Sequence, residues 1–194
     1  LSKNSVMIFQ THVRFPVLLI LADSNFRTIW YVGSLAEFAR RVELLVLSWL
    51  ILQLTDSYFL LGLVLVFNNL PRPALSLFTG LIADRFDRRH IMMLTQLVVG
   101  GIIMALAVLT ITAQVSTWHI YVAAVFMGVF QSLSMPARMT IIGDLVDQPS
   151  VLNAVAMQNM AVHAGRMIGP PVAGVIIEVW SVGVSLAFIA GCYV

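Results

Sequence analysis

Residues Gly80–His90 read GLIADRFDRRH. Asp84, Arg85, Asp87, Arg88 and Arg89 crowd into this stretch, in a chain of which only 10% is charged. On either side lies an apolar run long enough to cross about 30 Å of hydrocarbon. A knot of charge joining two such runs belongs in water on one face of a bilayer. Its excess of arginine names the face, because loops rich in Lys and Arg stay cytoplasmic.

The composition agrees with that reading. The chain is 60% hydrophobic and its mean hydropathy is +0.95. Soluble domains carry about 45–50% apolar and about 25% charged residues. Such an excess of apolar surface implies an integral membrane protein. The runs are long and lack the period-two alternation of an outer-membrane barrel, so the expected fold is an all-α polytopic bundle. The net charge of +2 makes no case for a nucleic-acid partner; membrane lipid is the expected surroundings. A single cysteine, Cys192, excludes an intrachain disulfide and a cysteine-based metal cluster. No nucleophile–base pattern, phosphate-binding glycine loop or zinc spacing occurs, so neither an enzyme nor a metal or cofactor is expected. The chain opens on Leu1 and stops inside an apolar run at Val194, and reads as a fragment.

Segment 1–29, with Lys3, His12, Arg14 and Arg27, holds too short an apolar run to span and reads as interfacial. The transmembrane domain, 30–194, divides into spans near 30–54, 58–83, 91–113, 118–142 and 151–177, with a truncated sixth at 183–194. Pro71-Arg72-Pro73 interrupts the second span and Pro136 the fourth. Lys3, Arg14, Arg27, Arg85, Arg88 and Arg89 fall on the hinge's side, whereas the opposite loops, around Asp56, 114–117 and 178–182, hold no Lys or Arg. The expected topology therefore has a cytoplasmic amino terminus in the inner or plasma membrane.

Gly80, Asp84, Arg85, Arg88 and Arg89 resemble the signature loop G-x-x-x-D-R-x-G-R-[RK] between the second and third helices of the major facilitator superfamily. Asp87 stands where the commonest pattern has glycine, as in the enterobactin-exporter-like branch, the transmembrane secretion effectors. Gly165, Gly169, Pro170 and Gly174 are similar to the antiporter motif of the fifth helix, G-x-x-x-G-P-x-x-G-G, with Ala173 in place of one glycine. The resemblance implies an amino-terminal half-transporter, with a carboxy-terminal half or a second copy completing it. It also implies that the charged loop latches one state of an alternating-access cycle. Asp84 ends a helix, where the macrodipole is negative, so it wants a positive partner. Read without the family, the arginines are topology anchors.

Charges at bilayer depth cost about 2.5–3.5 kcal/mol each on insertion scales, so they face a partner or a cavity. Glu37, Arg40, Arg41 and Glu43 lie in the first span, with Glu37 at i, i+3 and i+4 from the arginines and Arg40 at i, i+3 from Glu43. They form either a self-satisfied cluster or a coupling or substrate site. Asn68, Asn69, Arg72, Ser76 and Thr79 form a polar stripe on the second span, either interhelical glue or cavity lining. Gln131, Ser134 and Arg138 share a face of the fourth span, with Arg138 an anchor near the cytoplasmic end. On the fifth, Gly165 and Gly169 permit a close helix crossing, while Asn159, His163, Arg166 and Pro170 form a polar face. His163 is a proton relay or a hydrogen-bonded neutral histidine. Arg166, whose charge cannot be shed, is a candidate partner for Glu37 or Glu43 across the helix interface. The resemblance implies proton-gradient-driven efflux of a small hydrophobic or amphipathic molecule, such as a drug or siderophore. The alternative is a membrane fragment or partner-binding subunit that transports nothing.

Overall fold

The computed structural model describes residues 24–75, 88–145 and 151–193. Within them the chain is a bundle of helices without strands. They are α1 (Ser24–Thr55), α2 (Tyr58–Asn69), α3 (Arg88–Ile111), α4 (Thr117–Leu145), α5 (Val151–Val179) and α6 (Val182–Tyr193). α1 starts at Ser24 rather than Trp30, so its first turns lie within the segment read as interfacial; 1–23 fall outside the described residues.

The connections are tight. Asp56, in left-handed backbone at φ 53°, turns the chain out of α1, and Ser57 caps α2 by accepting from the Leu60 N–H. Ala113, also left-handed at φ 57°, makes the corresponding turn after α3. α2 breaks at Leu70 ahead of Pro71, and helix resumes over 71–75. By contrast α5 runs unbroken through Pro170 and Pro171, as membrane helices tolerate.

Contacts give the directions. Gly165 faces Glu37 and Phe38 while Gly169 faces Arg41, so α1 and α5 run parallel. Tyr121 donates to the Leu60 carbonyl and Asn68 to the Ala124 carbonyl, so α2 and α4 also run parallel. α6 opens beside the end of α3, with Gly183 against Ile111 and Ala107. Odd-numbered helices thus cross one way and even-numbered ones the other.

α1 is the central post, packed against α2, α4, α5 and α6. Its Val46, Leu47 and Ile51 meet Ile103 of α3, Met127 of α4 and Leu186 of α6 in one buried apolar core. The outer surface is apolar too, with Tyr58, Leu152, Met167 and Val179 all exposed. So many large apolar side chains outside a packed core suit lipid rather than water. By length and composition, Tyr58–Leu75, His90–Ile111 and Val151–Val179 are each long and apolar enough to cross a membrane. The chain is a multi-pass membrane protein.

Candidate functional site

Two charged residues of α1, Glu37 and Glu43, are buried in the bundle. Glu37 accepts ion pairs from both arginines on its own helix, Arg40 Nη1 at 3.6 Å and Arg41 Nη2 at 3.8 Å. Helical spacing alone accounts for these pairs, at i, i+3 and i, i+4.

Glu43 behaves differently. It is 1% exposed and, among the described residues, forms no ion pair with the arginine three residues before it. Its oxygens turn instead to other helices. The Tyr193 hydroxyl of α6 donates to Oε2 at 2.7 Å, and Gln131 Nε2 of α4 lies 3.5 Å from both oxygens. Glu43 therefore ties α1, α4 and α6 together at one point. Beside this point lies a cavity of about 30 Å³ whose polar wall includes Glu37, Arg40, Thr95, Gln96, Gln131, Ser134 and Tyr193. A polar cavity above about 10–15 Å³ has room for a water molecule.

The stripe on α2 divides. Asn68 is buried and donates across to α4, which is the role of glue, whereas Asn69 is exposed and donates back to Leu65 of its own helix at 2.8 Å. Asn68 can reach α4 because Gly128 has no side chain; a Cβ there would collide with the Asn68 carbonyl and press on Pro71. Arg72 is half-buried, and its Nη2 is buried without a hydrogen bond. Ser76 and Thr79 lie outside the described residues, as do Gly80, Asp84 and Arg85 of the charged loop. Arg88 and Arg89 open α3, but their side chains are not described; nor is that of Arg138 in α4.

On α5 the two faces separate as their composition implies. Gly165 and Gly169 are buried against α1. A Cβ on Gly169 would meet Arg41 Cβ at 2.8 Å, but one on Gly165 would make ordinary contact with Phe38 at 3.6 Å. Gly174 is exposed with open space around it. Asn159, His163, Arg166 and Pro170 are all exposed, on a face that the described helices leave uncovered. Arg166 does not pair with either glutamate in the described contacts. Glu37 is held by its neighbours in sequence, while Glu43 hydrogen-bonds to neutral donors.

Tyr193 and Gln158 are the residues that spacing did not single out as site members. Tyr193 is separated from Glu43 by 150 positions and carries no local signal. Gln158 is fully buried in α5, with neither end of its amide hydrogen-bonded. It lies among the residues where α5 meets α1, close in sequence to Met157, which packs with Phe26 and Trp30. No group of His, Cys, Asp and Glu among the described residues is arranged to hold a metal ion.

The family model for transmembrane secretion effectors matches residues 18–194. The chain is 29% identical to the staphyloferrin A transporter of Staphylococcus aureus, over 76% of this chain and 37% of the relative. It is likewise 29% identical to the MFS-type transporter YfiS of Bacillus subtilis, over 78% of this chain and 34% of that one. Identity to the enterobactin exporter EntS of Salmonella typhimurium is 26%, over 56% of this chain and 27% of EntS. The chain spans about a third of the length of the first two relatives.

Proposed function

Because this chain belongs to the transmembrane secretion effector family, of major facilitator type, we propose that it is the amino-terminal half of a secondary transporter. A carboxy-terminal half, or a second copy, completes the pathway, and the two halves rock about a site near the bilayer midplane. The observation that carries this reading is the cluster of Glu37, Arg40, Arg41, Glu43 and Gln131 inside a largely apolar bundle. Groups that expensive in lipid mark pathways for substrate or ions. The uncovered polar face of α5 supplies a surface for the other half.

The substrate is a small amphipathic molecule of siderophore or drug type, exported at the expense of a proton gradient. Two named relatives, a staphyloferrin A transporter and an enterobactin exporter, support the siderophore class. The amino terminus and the loop containing Asp84 and Arg85 are cytoplasmic, and that loop latches one state. Uptake of a fluorescent or iron-chelating probe into inverted vesicles containing the complete transporter tests the proposal. Transport should require an imposed pH gradient and collapse with a protonophore. Equal transport without the gradient would refute coupling, and absence of transport for every amphipathic probe would favour a partner-binding role.

A further inference from the structure

We infer that Glu43, and not Glu37, is the residue that binds the coupling proton, with Tyr193 relaying it from the cavity beside them. This deepens the proton-coupled reading above and rests on it.

The two glutamates differ in what protonation would do to their surroundings. Glu37 neutralises two guanidinium groups, neither of which can shed its charge. Adding a proton there would remove the one carboxylate that contacts both guanidinium groups in the described contacts, which is costly. Glu43 hydrogen-bonds only to neutral groups, a phenol and an amide, with the Arg40 charge acting on it without an ion-pair contact, and both protonation states can be satisfied in place. When ionised, it accepts from Tyr193 and from Gln131 Nε2. When protonated, it needs an acceptor, and one is waiting: Gln131 Oε1 is buried and has no hydrogen-bond partner. Rotating the Gln131 amide end for end presents that oxygen to the protonated carboxyl. The two ends of an amide are near-isosteric, so the rotation needs little repacking.

The ionisable groups around Glu43 are few. Arg40 and Glu37 lie on its own helix and Tyr193 on α6. The cavity receives Thr95 and Gln96 from α3 and Gln131 and Ser134 from α4, none of which ionises. α5 carries Arg166, within electrostatic range of Arg41, and α2 is followed by Arg72, next to the Pro71 that abuts Gly128.

Glu43 itself does not line the cavity, whereas Tyr193 does. The proton therefore passes through the phenol. A hydronium ion in the cavity gives a proton to the Tyr193 oxygen, and Tyr193 gives its own proton to Glu43 Oε2. One O–H bond breaks in the hydronium and one forms at the carboxyl, leaving water, a neutral phenol and a neutral acid.

Infrared difference spectroscopy of the complete transporter in lipid vesicles, titrated with pH, tests this directly. A carboxylic C=O band that appears on acidification should persist in Glu37→Gln and vanish in Glu43→Gln. In Tyr193→Phe it should remain but form at least about ten-fold more slowly after a pH jump, since the relay is cut. A band retained in Glu43→Gln overturns the assignment, and so does the absence of a buried-carboxyl band in the unmodified protein, an outcome that involves no variant. Efflux by the complete transporter separates the two ideas. Proton-driven efflux at full coupling in Glu43→Gln would sink the inference alone. Efflux indifferent to pH, with the Glu43 band in place, would sink the coupled reading and leave the binding site standing.

Discussion

Glu37 and Glu43 lie less than two turns apart on one helix and do opposite things. Glu37 sits between two arginines whose side chains are 17% and 22% exposed, close enough to the surface of this half to keep some contact with their surroundings. Glu37→Gln removes the only carboxylate paired with either arginine in the described contacts. The expected loss is about 3 kcal/mol, the low end for a broken buried ion pair, because the arginines are partly exposed. It should read as a lowered thermal midpoint in detergent. Tyr193→Phe deletes the 2.7 Å hydrogen bond to Glu43 and leaves a buried acceptor one donor short. It should cost about 1–3 kcal/mol by the same measurement. An unchanged midpoint in Tyr193→Phe would mean that α6 is not held to α1 through this bond.

At the scale of elements, close approach decides which glycines matter. Gly165 and Gly169 lie one turn apart on α5, and a reading by motif treats them alike. The structure does not. Gly165→Ala places a methyl at ordinary contact distance and should be nearly neutral. Gly169→Ala drives a methyl into Arg41 Cβ at 2.8 Å, and α1 and α5 must separate. Overpacking of this kind typically costs about 1–3 kcal/mol. Gly128→Ala should be at least as damaging, because its methyl meets the Asn68 backbone, which cannot rotate aside as a side chain can. Melting curves of the three variants in the same detergent check the order. Equal effects at 165 and 169 would contradict the packing described.

For the whole molecule, alternation of helix direction makes the position of one loop determine that of all. Single-cysteine variants on a Cys192→Ser background test the orientation. With Asp84→Cys, a membrane-impermeant maleimide should label only after the cells are permeabilised, whereas Gln114→Cys should label in intact cells. The reverse pattern would invert the proposed topology. Asp84→Asn addresses the latch: the complete transporter should lose most of its efflux while inserting normally, and undiminished efflux would reduce the loop to an anchor.

Fold class was legible in the sequence because lipid imposes a one-dimensional constraint. A helix in hydrocarbon must satisfy its backbone within itself and show apolar side chains outward, so hydropathy along the chain locates Tyr58–Leu75, His90–Ile111 and Val151–Val179 without knowledge of neighbours. The family was legible for a related reason, since the loop at 80–89 and the glycines of α5 are local patterns. The Glu37 pairs were legible too, being set by the pitch of one helix. What Glu43 does was not. Spacing offers it Arg40 at i−3, yet its partners come from α4 and α6, one of them 150 positions away. Likewise, spacing could place Asn68 and Asn69 on one stripe but could not tell which would face Gly128 and which the outside. Periodicity determines which face of a helix a residue occupies; only packing decides what that face meets, because contact between helices depends on where backbones can approach.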